Sequence, residues 1–342
     1  MLEAVQLGNS GLRVSELCLG TMNFGIPGRG HQGDWTLTLD EARPIVKAAL
    51  DHGLFYFDCA DIYGLGASEE VVGALLKELL PRDEYVLATK IAMPMGRGAN
   101  QGGLSRKHVR EGIDACLQRT GHDYIDHLVI HRHPHGIPGA ARTPIEETLE
   151  ALHDAVKEGK VLYLGGSSMF AWQFAELQLT AKMNNWTPFV SMQNHHNLVY
   201  REEEREMNPY CASTGVALTP WSPLARGILA GSYQGGFSGG STSRSQGQDR
   251  KRTEGLYQGD HVFPIAERVI ETASKYECSP AQIAVAWLKG RPEVTSPIVG
   301  VSKVSQLEDL VAAAAIELAP EDVNYLEELY QPVENLLSIG TS

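Results

Sequence analysis

The chain has 342 residues, 43% of them hydrophobic, and its 29 basic against 42 acidic side chains leave a net charge of −13. No dense Lys/Arg run appears, which argues against nucleic acid and against an anionic membrane surface as partners. No stretch approaches the roughly eighteen apolar residues of a membrane span, and MLEAVQLGNSGLRV lacks the basic and apolar regions of a signal peptide.

Strand-like and helix-like segments alternate from there on. The first strand is LCLG (17–20), followed by a long loop over 23–37. Thr38 and Glu41 make a capping box for a helix, which Gly53 ends after KAALDH. Next comes the strand YFDCA (56–60). Gly64-Leu65-Gly66 lacks the third glycine of a dinucleotide fingerprint and reads as a turn ahead of a helix capped by Ser68. VLATK (86–90) leads into a loop over 93–104, and IDHLVIH (125–131) into a second capping box, Thr143-Pro144-Ile145-Glu146, on a helix that Gly159 closes. Strands follow at VLYLGGSS (161–168), PFVSMQ (188–193) and VALTPWSP (216–223). Residues 225–260 are a Gly/Ser-rich stretch with Arg226, Arg244, Arg250, Lys251 and Arg252; so long a loop reads as a functional lid, and its cations point to an anionic ligand. A third capping box at Ser279-Pro280-Ala281-Gln282 precedes the eighth strand, PIVG (297–300).

Eight β/α units with no linker between them predict an α/β fold of one domain, a (β/α)8 TIM barrel over residues 1–342. Cys18, Cys59, Cys116, Cys211 and Cys278 lie far apart without a CxxC pair, which predicts reduced thiols and a cytoplasmic location.

Asp58, Tyr63, Lys90 and His131 stand at or just past the ends of three of these strands. In a parallel barrel the strand ends converge on the catalytic face. A phenol has a pKa of about 10, and lowering it by ~2–3 units takes roughly 3–4 kcal/mol. An ammonium about 4 Å away supplies ~4 kcal/mol at an effective dielectric of 20. Lys90 is therefore expected to make Tyr63 a general acid, with Asp58 holding Lys90 and His131 orienting a carbonyl oxygen. The set suits protonation of an oxygen during hydride transfer and offers no nucleophile–base pair. A structural Asp58–Lys90 ion pair beside a loop tyrosine is the plain alternative.

The segments FDCADIYGLGASEEVVG, VLATK, YIDHLVIHR, VLYLGGSSM, SMQNHHNLVYRE, TPWSPLARGILAG and IVGVSKVSQLED, taken in order, resemble the aldo-keto reductases, in particular the bacterial branch related to potassium-channel β subunits. The resemblance spans nearly the whole chain. It implies a barrel closed at its bottom by an N-terminal hairpin, here within residues 4–14, and reversible reduction of an aldehyde or ketone by NADPH without metal. Tyr63 is then the general acid/base, Asp58 and Lys90 its tuning pair, and His131 the orienting residue. Channel-type subunits often lack that histidine, so His131 favours catalysis over the alternative of a non-catalytic NADPH-binding regulatory subunit.

The same resemblance assigns cofactor contacts. Ser167 and Gln193, with Ser168 beside them, take the nicotinamide carboxamide, and Trp221 stacks on its ring. Ser222, Pro223, Leu224, Arg226 and Gly227 line the pyrophosphate path, and Thr21 and Met22 approach from the first strand. Gly300, Ser302, Gln306 and Asp309 cradle the adenosine end, and Arg244 clamps the 2′-phosphate. Leu310 stands where the family often has Asn, and Ser232 where a lid lysine is common. The partner expected is a small carbonyl substrate. Arg97, Arg132, His133 and His135, with Phe24 and Trp35 as apolar wall, point to a polar or anionic one, against the plainer reading of solvated loop charges. A metal-dependent hydrolase is the remaining rival, since His131, His133 and His135 alternate as ligands on an extended segment do.

Overall fold

The structure is a computed structural model, and it describes residues 1–30, 35–140, 142–233, 235–240 and 249–330. The chain opens with a hairpin, β1 (Ala4–Gln6) antiparallel to β2 (Arg13–Ser15). Eight parallel strands follow: β3 (Cys18–Gly20), β4 (Tyr56–Asp58), β5 (Val86–Ile91), β6 (Ile125–Ile130), β7 (Val161–Ser167), β8 (Phe189–Gln193), β9 (Ala217–Leu218) and β10 (Ile298–Val299). They pair in chain order, and β10 lies beside β3. The last seam closes through backbone bonds: Thr295 N–H to Leu218 O at 2.9 Å and Ile298 N–H to Pro220 O at 2.8 Å. The result is a (β/α)8 barrel, as the eight apolar runs predict. The seventh strand is shorter than the 216–223 expected, because Pro220 and Pro223 have no N–H for a ladder.

Eight helices cover the barrel: α1 (Leu39–Asp51), α2 (Ala67–Leu79), α3 (Arg106–Thr120), α4 (Ile145–Lys157), α5 (Ala171–Met183), α6 (Met207–Thr214), and, after the lid helix α7 (Asp249–Leu256), α8 (Val262–Lys275) and α9 (Pro280–Lys289). Each buries one stripe: in α1 it is Ala42, Ile45, Val46 and Ala49, one face of a 3.6-residue repeat. Two of the three expected capping boxes form. Glu41 accepts from Thr38 N–H at 2.8 Å, and Gln282 from Ser279 N–H at 2.9 Å. The third does not: α4 starts one residue later, with Pro144 at its N-cap, so Thr143 is left outside. Ser68 is likewise not a cap. Gly66 caps α2, and the Ser68 hydroxyl donates instead to Thr21 O at 2.7 Å, tying α2 to β3.

The hairpin seals the barrel's N-terminal end. Leu7 and Val14 pack with Cys18, Tyr56, Val86, Ala88, Ala217 and Ile298 from the strands above them. Gly8 sits at φ +57, and a Cβ there would lie 2.6 Å from Val190 O, so only glycine fits this approach. Above this plug, Tyr56 Oη and Ser191 Oγ each bond to a ring nitrogen of His127 at 2.8 Å. Beyond the barrel, α10 (Val304–Ala312) follows β10, and α11 (Pro320–Glu327) packs on α8 through Asp322, which holds Lys275 at 2.7 Å. All five cysteines are free, and no helix among the described residues is long and apolar enough to cross a membrane.

Candidate active site

The C-terminal ends of β4, β5 and β6 bring the four residues together. Asp58 ends β4, Lys90 lies one residue from the end of β5, and His131 follows β6, its N–H bonded to Ile91 O at 2.9 Å. Tyr63 comes from the loop after β4. Gly64, Leu65 and Gly66 all take positive φ there and turn the chain sharply into α2. This is the turn expected of Gly64-Leu65-Gly66, and it fixes the phenol over the barrel mouth.

Lys90 is fully buried and its ammonium makes three bonds: to Asp58 Oδ2 at 2.5 Å, to Cys59 O at 2.9 Å and to Tyr63 Oη at 3.3 Å. Burial works against its charge, but the Asp58 carboxylate overrides this and holds the Lys90 pKa above the ordinary lysine value. The other Asp58 oxygen accepts from Gln193 Nε2 at 2.9 Å, so the carboxylate is fixed from two sides of the barrel.

The Tyr63 hydroxyl departs from expectation. Burial pushes its pKa up and Lys90 pulls it down, and burial prevails, so the group lies above the ordinary tyrosine value. Tyr63 is thus fully protonated at neutral pH, with the Lys90 ammonium 3.3 Å from its hydroxyl oxygen. His131 stands edge-on to Tyr63, ring centroids 5.9 Å apart. Burial first, then the charges of Arg132, Lys90 and Arg252, drive its pKa well below the usual value, and its Nδ1 is buried without a partner among the described residues. The imidazole is therefore uncharged at neutral pH. Asp61 is buried with Oδ2 unpartnered among the described residues, and burial and then Glu69 push its pKa up.

The metal-ligand pattern dissolves. His135 is exposed and its Nε2 meets Thr143 O at 3.1 Å, while His133 is buried. No group of three His, Cys, Asp or Glu side chains fit to hold a metal occurs among the described residues.

The other predicted positions fall around the same mouth, with different degrees of freedom. The amide oxygen of Gln193 has no protein partner among the described residues, and Ser167 Oγ donates to Gln193 O at 2.9 Å. Trp221 is half-buried: one ring face stacks on His195 at 4.0 Å and 8°, and its Nε1–H donates to Ser168 Oγ at 3.0 Å. Ser168, Ser222, Ala225 and Arg226 all hold positive φ, as strained residues at ligand sites often do. Pro223 is buried, Leu224 and Gly227 are half-buried, and Met22 lies half-buried next to Thr21, whose N–H bonds to Asp58 O at 2.9 Å.

Three of the expected contacts already have protein partners. Arg226 is tied to the lid helix through Asp249 and, at 3.2 Å, Thr253, so its charge is already neutralised. Asp309 accepts from Ser279 Oγ at 2.6 Å, which fixes it to α9. Gln306 accepts from Ser302 N–H at 2.8 Å, folding the Gly300–Ser302 turn on itself. Arg244 lies outside the described residues. Sequence reasoning missed His195, which is sandwiched between Tyr200 at 4.3 Å and Trp221 and is thereby the backing of the tryptophan. Its only signal was its place in QNHHN beside Gln193.

An amide oxygen without a partner among the described residues, a tryptophan backed on one face, and strained backbone over the barrel mouth fit a nicotinamide dinucleotide. The comparisons agree. The model of the Aldo/keto reductase family matches residues 16–331. The chain is 44% identical to a putative aryl-alcohol dehydrogenase of Schizosaccharomyces pombe, over 96% of this chain and 95% of that one. It is 40% identical to versiconal hemiacetal acetate reductase of Aspergillus parasiticus (97% and 98% covered) and 41% identical to an aldo-keto reductase of Alternaria alternata (95% and 91%). The chain belongs to the aldo/keto reductase family. It is an oxidoreductase that reduces carbonyl compounds with a nicotinamide cofactor.

Proposed function

We propose that the chain reduces aldehydes or ketones to alcohols with NADPH, and that Tyr63, Lys90, Asp58 and His131 carry the reaction. The observation that carries this assignment is the buried Asp58–Lys90–Tyr63 chain, with Lys90 Nζ 2.5 Å from the carboxylate and 3.3 Å from the phenol. When bound, the cofactor supplies the reducing equivalent that adds at the carbonyl carbon. Tyr63 Oη gives its proton to the carbonyl oxygen. Lys90 stabilises the resulting phenolate, and Asp58 keeps Lys90 charged and in place. His131, neutral, donates to the same oxygen and sets its direction. In the reverse reaction the phenolate takes the proton back.

The cofactor would be held by Ser167, Ser168 and Gln193 at the carboxamide, Trp221 on the ring, Thr21, Met22, Asp58, Ser222, Pro223, Leu224, Arg226 and Gly227 along its length, and Gly300, Ser302, Gln306 and Asp309 at the adenosine. Arg244 supports NADP over NAD. The chain acts as one barrel domain in the cytoplasm, on a small carbonyl compound. The relatives named above are fungal, which lends no support to the bacterial branch. A screen of aldehydes with NADPH, followed by absorbance loss, tests the assignment: turnover is expected, and none with any carbonyl despite tight cofactor binding would return the regulatory-subunit reading.

A further inference from the structure

His195 stands two residues past Gln193, the last residue of β8. The backbone carries it alongside Trp221: the two pair as a parallel bridge, and Trp221 N–H bonds to Asn194 O at 2.9 Å. The imidazole then lies flat between Trp221, at 4.0 Å and 8°, and Tyr200, at 4.3 Å and 15°. Three nearly parallel rings make one slab, buried except at its outer member, Trp221. Stacking fixes the spacing between rings but is weakly directional, so hydrogen bonds must stop them sliding past one another. Trp221 has one, from Nε1–H to Ser168 Oγ at 3.0 Å.

The imidazole has another, and it comes from the lid. His195 Nε2 shares a 2.8 Å hydrogen bond with Tyr257 Oη. Tyr257 directly follows the lid helix α7, is buried, and stands edge-on to His195 with ring centroids 5.5 Å apart. Asn197 joins the same junction. Its Nδ2 donates to Ser222 O at 2.9 Å and lies 3.3 Å from both Tyr257 Oη and His195 Nε2. Its Oδ1 accepts from Val199 N–H at 3.1 Å, which fixes the amide's direction. Ser222, next after Trp221, is held at φ +56. Helix α7 also grips Arg226, through Asp249 and Thr253. The lid therefore reaches the segment from Trp221 to Arg226 at both its ends. A phenylalanine would fill the buried space of Tyr257; the hydroxyl adds the bonds to His195 and Asn197.

We propose that Tyr257 and His195 are positioning residues for hydride transfer: the folded lid, through the Tyr257–His195 hydrogen bond, holds the Trp221 ring where it seats the nicotinamide against the carbonyl carbon. This coupling rests on the reductase reading above, with Trp221 as the seat of the ring, and gives the lid a part in the chemistry. A lid that only covered the cofactor would change how tightly it is held. A lid tied to the platform changes how fast the bound cofactor reacts, because small misplacements of the reacting atoms cost rate steeply.

The test cuts the bond from each end, with Tyr257→Phe and His195→Phe, singly and together, and repeats Tyr257→Phe on a Trp221→Ala background. Two quantities are read: single-turnover oxidation of saturating NADPH by the best aldehyde of the screen above, and the NADPH dissociation constant by fluorescence titration. Loss of one buried neutral hydrogen bond lowers the single-turnover rate ~3–10-fold in each single variant, with NADPH affinity within about twofold of wild type. The double variant loses no more than the worse single one, and Tyr257→Phe costs nothing further once Trp221 is alanine. Tyr257→Phe removes one oxygen and keeps its ring, so it reports even if His195→Phe packs poorly. Weaker NADPH binding at an unchanged rate overturns the coupling and leaves Tyr257 an anchor of the lid. An unchanged rate and affinity overturn it as well, and so does an equal rate loss in the Trp221→Ala background, which would bypass the tryptophan. If Trp221→Ala itself moves neither quantity, the platform falls and the coupling with it. No wild-type turnover of any aldehyde is a different result: it removes the reductase reading itself.

Discussion

Replacing Lys90 by Met separates chemistry from architecture. The ammonium lies 3.3 Å from Tyr63 Oη, where a unit charge stabilises a phenolate by about 5 kcal/mol at an effective dielectric of 20. Asp58, 2.5 Å from the same nitrogen and so within about 6 Å of the phenol oxygen, offsets about 3 kcal/mol of this and leaves ~2 kcal/mol. The expected loss in kcat is therefore ~10–100-fold. The single variant also leaves the Asp58 carboxylate, with 3% of its side chain exposed, without its cation, which costs about 3–5 kcal/mol of stability. Adding Asp58→Asn removes that unpaired charge, so the double variant recovers much of the stability while kcat stays low. Urea melts and single-turnover NADPH oxidation measure the two quantities. A Lys90→Met protein within about fivefold of wild-type kcat would refute the argument, and so would a double variant that regains rate together with stability.

Two further outcomes follow from the same structure, and a third from the sequence. His127 and His195, fully buried and held down at about 3 chiefly by burial, are neutral in the fold but take up protons in the unfolded chain near pH 6.5. Stability therefore falls as pH drops below about 6.5 and towards 3, by up to about 1.4 kcal/mol per pH unit for each, and His127→Gln removes one share of that slope in thermal melts at graded pH. Gly8→Ala, at φ +57 with a Cβ 2.6–2.8 Å from three backbone atoms, is expected to cost at least ~2 kcal/mol; a neutral result in denaturant melts would refute the tight hairpin plug. Arg244→Ala should weaken NADPH about tenfold more than NADH in fluorescence titrations, and equal weakening of both retires the 2′-phosphate clamp.

What was legible in the sequence was mostly local. Apolar runs ended by polar residues located all eight strands, and the strand ends located Asp58, Lys90 and His131, because in a parallel barrel position along a strand fixes position on the molecule. Capping boxes were readable where the side chains at both ends were free to bond, as at Thr38 and Ser279. They failed at Thr143, where Pro144 took the N-cap, and at Ser68, drawn off to Thr21. The site's non-local bonds were not legible. Gln193 reaches Asp58 across 135 residues of sequence, and the Arg226–Asp249 pair depends on how the lid helix folds back. The direction of the Tyr63 pKa was misjudged for the same reason: an ammonium can be read from a motif, but the depth at which a phenol is buried depends on everything packed around it.

The central claim is that Tyr63 delivers the proton. Tyr63→Phe removes one oxygen and leaves the Asp58–Lys90 pair and the cofactor surface in place. With a reactive aldehyde and saturating NADPH, single-turnover oxidation should fall by at least ~10²-fold while the NADPH dissociation constant stays within about twofold. A Tyr63→Phe variant that reduces the aldehyde at close to the wild-type rate would mean that the proton comes from elsewhere.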